Sequence, residues 1–304
     1  MASGWRIGVD LGGTKITVCV LDSGGVERHR VRVATPAMDY GAILTRITDC
    51  VLEAERAVGR VCSVGVGTPG AVSAVDGCIK NSNTTCLIGQ PLREDLAGRL
   101  ARPIRIANDA NCFALSEAVD GAGAGATLVF GVIVGTGTGG GLVIDGKVRA
   151  GRNAIAGEWG HNPLPWTPTD QLDARPCYCG QRGCVETFLS GPGLATSYRL
   201  RHGIDYKGRE VSERASAGDV TALETLGDYA EHMARGLASV INLLDPDVIV
   251  LGGGLSDIEM LYEEVPRRWG AHVFSDRVDT ALRRARHGDD SGVRGAAWLW
   301  AAEP

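Results

Sequence analysis

Residues 5–21 read WRIGVDLGGTKITVCVL. An apolar strand at 5–10 runs into a turn at Gly12 and Gly13, and a second strand follows at 16–21. Asp22, Ser23, Gly24 and Gly25 turn the chain again before a third strand at 26–33, so the opening is an antiparallel meander. Ile43, Leu44, Ile47, Val51, Ala54 and Val58 then recur at helical spacing, which predicts a helix over 41–58. A strand at 61–66 ends in Gly67-Thr68-Pro69-Gly70. A strand end at 105–107 leads to Asn108-Asp109 at the entry of a helix through Val119, with Asp109 a candidate N-cap. The Gly/Ala-rich stretch 121–126 reads as a domain boundary. Beyond it the pattern restarts: a strand at 128–134, a glycine run at 135–141, and a hairpin of 142–144 with 147–150 across Asp145-Gly146. Two halves that each open strand, Gly/Thr turn, strand suggest an internal duplication. Residues 153–190 look irregular, with four prolines between Pro163 and Pro176. A long amphipathic helix over 219–244 stops before Pro246, a strand at 248–251 meets Gly252-Gly253-Gly254, and 292–301 predicts a last helix.

The chain has 304 residues, and at about 150 residues per domain that favours two domains. Hydrophobic residues at 44% and charged residues at 22% exclude a disordered chain. No run approaches about 18 uninterrupted apolar residues, so no membrane span is expected. Asp10 breaks the first apolar run before it reaches export length, and the expected location is the cytoplasm. A net charge of −5 argues against nucleic acid as a general partner. The cluster Arg283, Arg284, Arg286 and His287 reads as a solvated basic turn. Cys19, Cys50, Cys62, Cys78, Cys86 and Cys112 are scattered and read as buried free thiols.

Three glycine-rich turns follow apolar strands: Gly12-Gly13-Thr14-Lys15, Gly135-Thr136-Gly137-Thr138-Gly139-Gly140-Gly141 and Gly252-Gly253-Gly254. Phosphates need unhindered backbone N–H donors, and glycine lets the chain approach them closely. Three such turns favour a nucleotide site, although none has the P-loop spacing or opens a helix as G-x-G-x-x-G. Asp10 precedes the first turn and reads either as a Mg²⁺ ligand acting through water or as a turn cap. Asp109 reads either as a helix cap or as a general base for an attacking hydroxyl. His161, Cys177, Cys179 and Cys184 supply the donor types of a tetrahedral Cys₃His zinc site. Four protein ligands leave no open coordination position, so the ion would be structural. It would staple the proline-rich loop that carries Glu158 and Glu186.

The stretches GVDLGGTK (8–15), GVGTPG (65–70), NDAN (108–111), the glycine run 135–141, EWGH (158–161), CYCGQRGCVE (177–186) and DPDVIVLGGG (245–254) resemble the ROK family of sugar kinases and repressors, in the same order over nearly the whole chain. Residues 81–92, 156–166 and 287–300 resemble its bacterial fructokinase/mannokinase branch, with the N-acetylglucosamine kinases next nearest. The departures, Thr68 and Thr138, remove no polar group from the motifs.

The resemblance implies an α/β chain of the actin-like ATPase (ribonuclease H-like) fold, two α/β domains around a hinged cleft. The first would span 1–121, joined by a C-terminal helix at 291–304, and the larger second 122–290 with its zinc-stapled loop at 153–190. It implies Asp109 as catalytic base, and Gly70, Asn83, Asn108, Asp109, Glu158, His161 and Glu186 around the sugar, with His161 bound to zinc through its other ring nitrogen. It implies Gly12, Gly13, Thr14 and Lys15 as the first phosphate loop. Thr136, Gly137, Thr138, Gly139 and Gly140 would be the second, with Gly252, Gly253 and Gly254 on the adenosine side. The expected reaction is ATP-dependent phosphorylation of a free hexose with Mg²⁺, D-fructose to fructose 6-phosphate, with mannose or glucose as further acceptors. N-acetylglucosamine is the alternative. A sugar-responsive repressor is disfavoured, because only four residues precede the first strand and leave no room for a helix-turn-helix segment. The resemblance favours a homodimer.

Overall fold

The computed structural model describes residues 4–36 and 38–300. Ala301, the expected end of the last helix, and the rest of the tail lie outside them. The meander forms as read: β1 (Arg6–Leu11), β2 (Lys15–Leu21) and β3 (Glu27–Ala34). β1 and β2 are buried almost throughout, as near-continuous apolar runs require, whereas β3 is an edge strand with every second residue or so exposed. Helix α1 (Tyr40–Val58) starts where the Asp39 carboxylate accepts from the Ala42 amide and ends at Gly59 in the left-handed region. It buries Ile43, Leu44, Ile47, Val51 and Ala54. β4 (Ser63–Thr68), the two-residue strands β5 (Ala71–Val72) and β6 (Ile79–Lys80), α2 (Leu92–Leu100) and β7 (Ile104–Asn108) complete the first unit. Its sheet runs β3-β2-β1-β4-β7, antiparallel across the meander and parallel from β1 to β7.

After α3 (Asp109–Val119) come β8 (Leu128–Val134), β9 (Thr138–Ile144) and β10 (Lys147–Val148). The short helices α4 (Thr169–Asp173) and α5 (Glu186–Leu189) interrupt the proline-rich stretch. The larger α6 (Gly191–His202), α7 (Gly208–Ser216) and α8 (Val220–Leu244) follow. β11 (Val248–Gly252), α9 (Leu261–Trp269), β12 (Ala281–Arg284) and α10 (Ser291–Trp298) finish the chain. The second sheet runs β10-β9-β8-β11-β12, antiparallel in its meander and parallel from β8 to β12. The two sheets therefore share one topology, which gives the suspected duplication its structural form. The architecture is the actin-like ATPase fold.

The structure departs from the sequence reading in several places. β9 begins at Thr138, so Gly139, Gly140 and Gly141 lie in a strand paired with Ile133, Val132 and Gly131 rather than in a loop. The last helix begins at Ser291, the residue that the resemblance implies and one before the start of the apolar pattern at 292. The basic cluster is not simply solvated. The Arg284 guanidinium pairs with Glu259, Arg283 donates to the Ala122 carbonyl, and His287 faces Asp120. Cys78 and Cys86 are half-buried, whereas Cys19, Cys50, Cys62 and Cys112 are buried as expected.

Helices α3 and α10 lie face to face between the sheets. α3 packs on β8 and β9, and α10 packs on β1 and β4. A Cβ on Gly295 would overlap the carbonyl oxygen of Cys112, and one on Gly65 would overlap that of Ala296, so backbone meets backbone at both surfaces of α10. One apolar cluster draws on both sheets and both helices: Leu21, Phe113, Val129, Val250, Val293 and Trp298.

Candidate active site

The ends of five strands meet at one cavity of about 280 Å³, to which they bring Gly12, Pro69, Asp109, Ile133 and Gly253, and the turn before α10 adds Gly288. Space beyond the carboxyl ends of sheet strands is where α/β folds bind ligands. Asp10, Gly13, Asn83 and Asp289 line it too. The Gly12 amide donates to the Lys15 carbonyl at 3.0 Å, which makes Gly13 and Thr14 the tip of a tight hairpin. Gly253 has φ +84 and lies against the Val134 carbonyl at the end of β8, where a side chain would clash. Gly252 packs on the Phe113 ring, and Gly254 opens the next turn with nothing near its missing side chain.

Asp10 stands near the end of β1. Burial, and then the charge of Asp109, push its carboxyl up to about 6, against the opposing pull of Lys15 and Arg32. Asp109 is the first residue of α3. Its carboxylate is open to the cleft on one side and enclosed by protein on the others, and this enclosure raises its pKa while the Ala110 amide, 2.8 Å away, opposes the shift. The helix cap is Asn108, not Asp109: its Oδ1 accepts from the amides of Ala110 and Asn111, at 2.8 and 3.4 Å. Its Nδ2 donates to the Gly70 carbonyl at 3.1 Å. Asn108 thus spends both ends of its amide on holding backbone, and Gly70, at φ +83, sits too close to Lys80 and Ser82 for a side chain. Two carboxyls that are both raised, Asp10 in part by the charge of Asp109, fit a divalent cation, whose charge would relieve both.

A second cavity, of about 610 Å³, adjoins the first through Asn83, which lines both. Thr136, Gly137, Tyr178 and Glu186 border it. Glu186 opens α5 and its Oε2 accepts from the Thr138 amide at 2.9 Å, so the carboxylate expected at the sugar also anchors the start of β9. The Trp159 indole donates to the Gly139 carbonyl at 3.1 Å and fixes the turn between Glu158 and His161. Burial raises the Glu158 carboxyl; His161 opposes this, and the charges of Asp109 and Glu186 add to it. The Glu158 carboxyl thus feels His161, Asp109 and Glu186, although neither Glu158 nor His161 lines either cavity.

The ligand atoms of His161, Cys177, Cys179 and Cys184 all lie within 4.8 Å of one another. The Cys179 and Cys184 sulfurs are 3.6 Å apart, and His161 Nδ1 is 3.5 Å from the Cys177 sulfur. A disulfide needs about 2.05 Å. A zinc tetrahedron with Zn–S near 2.3 Å spaces its sulfurs by about 3.8 Å. The donor set and spacing fit zinc. The Tyr178 hydroxyl stands 2.9 Å from His161 Nε2.

Sequence reasoning missed Phe113, Ile133, Gly288, Asp289 and Gly292 as cavity lining. Gly288-Asp289-Asp290-Ser291-Gly292, a glycine-flanked acidic turn before a helix, was the available signal. Lys15 and Thr14 sit exposed at the hairpin tip.

The family model described as "ROK family" matches residues 6–303. The chain is 40% identical over 300 residues to an N-acetyl-D-glucosamine kinase of Yersinia pseudotuberculosis, covering 97% of this chain and 99% of the relative. It is 40% identical over 296 residues to one of Escherichia coli, covering 96% and 98%. A ROK hexokinase structure from Thermus thermophilus superposes with a TM-score of 0.85 at 32% identity, over 97% of each chain. A ROK family glucokinase from Streptomyces griseus, in complex with glucose and AMPPNP, superposes at 0.77 and 29% identity, over 97% of this chain and 98% of that one. These likenesses extend end to end across the described fold and include its cleft, and the chain belongs to the ROK family, as one of its sugar kinases.

Proposed function

We propose that the chain transfers the γ-phosphoryl group of ATP to the primary hydroxyl of N-acetyl-D-glucosamine. The 40% identity over nearly the full length to kinases named for that sugar carries the choice of acceptor, ahead of the D-fructose that the fructokinase-like motifs imply. Two adjoining cavities that share Asn83 support a sugar and a triphosphate meeting end to end. Glucose is the second reading, because the similar structures include a hexokinase and a glucokinase.

Asp109 accepts the proton of the attacking hydroxyl. The new O–P bond forms as the bond between the γ-phosphorus and the bridging oxygen breaks, and ADP leaves. A raised carboxyl pKa suits this role, since a base is most effective when its pKa approaches the working pH. Asn108 fixes the start of α3 and so aims Asp109. Glu158, His161 and Glu186 orient the sugar, while the amides of Gly12, Gly13, Thr136 and Gly137, with Gly253 and Gly254 on the adenosine side, receive the nucleotide. Asp10 would hold Mg²⁺ through water, and the ion would supply neutralising charge to the phosphates. Zinc on His161, Cys177, Cys179 and Cys184 would hold the loop between Glu158 and Glu186 in shape. Closure of the cleft between residues 1–121, with the C-terminal helix, and 122–290 would exclude competing water.

The test is ADP release with N-acetylglucosamine, glucose, mannose and fructose, compared by kcat/KM. N-acetylglucosamine should lead. A higher value for fructose or glucose replaces the acceptor, and no ADP release with any hexose removes the kinase reading.

A further inference from the structure

Tyr178 belongs to none of the expected site residues, yet it occupies a constrained position. It lies between two of the clustered cysteines, so a metal held there fixes its backbone on both sides. The Cys177 amide also donates to the Gln181 carbonyl at 2.9 Å, and the Gly180 amide to the Cys177 carbonyl at 3.0 Å, which closes the loop tightly around it. The side chain is pinned as well. Its ring meets the His161 imidazole edge-on, with centroids 5.1 Å apart and planes at 89°, and its hydroxyl is 2.9 Å from Nε2. Despite these restraints the residue is 83% exposed, and it borders the same cavity as Asn83, Gly137 and Glu186.

His161 Nδ1 faces the Cys177 sulfur, so Nε2 is the nitrogen left to meet a sugar. Any sugar hydroxyl that reaches Nε2 arrives beside the Tyr178 phenol and either shares or replaces that contact. The substituent next to that hydroxyl then faces an uncovered aromatic ring. A rigid aromatic side chain offers a large contact area at little entropic cost. An acetamido group, planar with a terminal methyl, can cover such a ring; a hydroxyl in the same place cannot.

We infer that Tyr178 is a specificity-determining residue of the sugar site, whose ring forms the wall against which the acetamido group packs. The inference rests on the acceptor reading above and names the residue that would enforce it.

The test compares full-length wild type, Tyr178→Ala and Tyr178→Phe with N-acetylglucosamine and with glucose at saturating ATP, and measures zinc per chain in each. In Tyr178→Ala the ratio of kcat/KM for N-acetylglucosamine over glucose should drop about tenfold, within the range that one apolar contact commands, and the loss should appear in KM. Tyr178→Phe retains the ring and should keep the ratio within about threefold of wild type. An unchanged ratio in a zinc-loaded Tyr178→Ala overturns the proposal, as does an equal fall for both sugars. If Tyr178→Ala loses zinc, Tyr178→Leu carries the same expectation and the same refutation. A wild type that fails to prefer N-acetylglucosamine sinks the acceptor reading itself. A wild type that prefers it, joined to an unaltered ratio in the variant, sinks the wall alone.

Discussion

At the scale of single residues, the cleft concentrates its cost on carboxylates. Asp109 has its pKa raised chiefly by the protein around it, so its ionised form is disfavoured in the fold relative to the unfolded chain. The sign follows from linkage. Below the unfolded value, near 3.9, both states hold the proton and no penalty exists; as pH rises through the folded pKa, the folded state loses ground. Asp109→Asn removes the charge but keeps the shape. It should lower kcat at least about 10²-fold with N-acetylglucosamine, the usual scale for a positioned base. Its melting temperature at pH 7 should equal or exceed that of wild type, with the difference shrinking toward pH 4. Thermal melts across that range check the second part, and a variant less stable than wild type at pH 7 contradicts the electrostatic account.

At the scale of elements, legibility in the sequence followed the strength of local pattern. The meander is written in short apolar runs between glycine turns, and α1 in helical spacing. The nucleotide turns are written in glycine, and the thiol cluster in its spacing. Helices α2, α4, α5, α6, α7 and α9 stayed hidden, α6 and α7 for different reasons. α6 buries only Gly193, Leu194 and Tyr198 and carries little apolar periodicity, and α7 is short and mostly polar. The start of β9 was misread because glycine suits both a phosphate turn and a strand pressed against its neighbours. Gly140 lies against Gly157 and Trp159, which only the tertiary structure reveals. The cap at α3 was assigned to the wrong member of Asn108-Asp109, since both side chains can cap and only the bond to Gly70 decides between them. Cys179→Ser should abolish stoichiometric zinc binding and raise the KM for sugar more than that for ATP, because the loop joins Glu158 to Glu186. Metal analysis that still finds one tightly held zinc per chain would refute the four-ligand site. Helix α10 offers a sharper contrast. Gly295→Ala drives a methyl into the Cys112 carbonyl and should cost at least about 2 kcal/mol in urea unfolding. Gly98→Ala in α2, where nothing lies within 4 Å, should instead gain about 0.5–1 kcal/mol.

At the scale of the whole molecule, one buried carboxylate ties α3 to the two chain segments that flank it. Glu117, fully buried on α3, accepts from the amides of Ala122, Arg286 and His287 at 2.8, 2.9 and 3.1 Å, and from the Ser291 hydroxyl at 2.8 Å. It therefore gathers the end of α3, the Gly/Ala-rich connection to β8 and the segment that leads from β12 into α10. Beside it, Asp120 accepts from His287, Arg294 and the Trp298 indole. The connection from α3 to β8 and the segment from β12 to α10 both pass this node, and the latter also carries Gly288 and Asp289, which line the smaller cavity. Four donors converge on a group that only accepts, so Glu117→Gln, which brings two N–H groups into the same space, cannot satisfy them all. Leaving buried donors unpaired costs about 1–3 kcal/mol each. The variant should lose at least about 2 kcal/mol in urea unfolding. If the node sets how the units meet, kcat and the KM values for sugar and ATP should shift together, although Glu117 touches neither cavity. A variant that is destabilised but keeps all three kinetic constants would show that the node holds the fold without tuning the cleft.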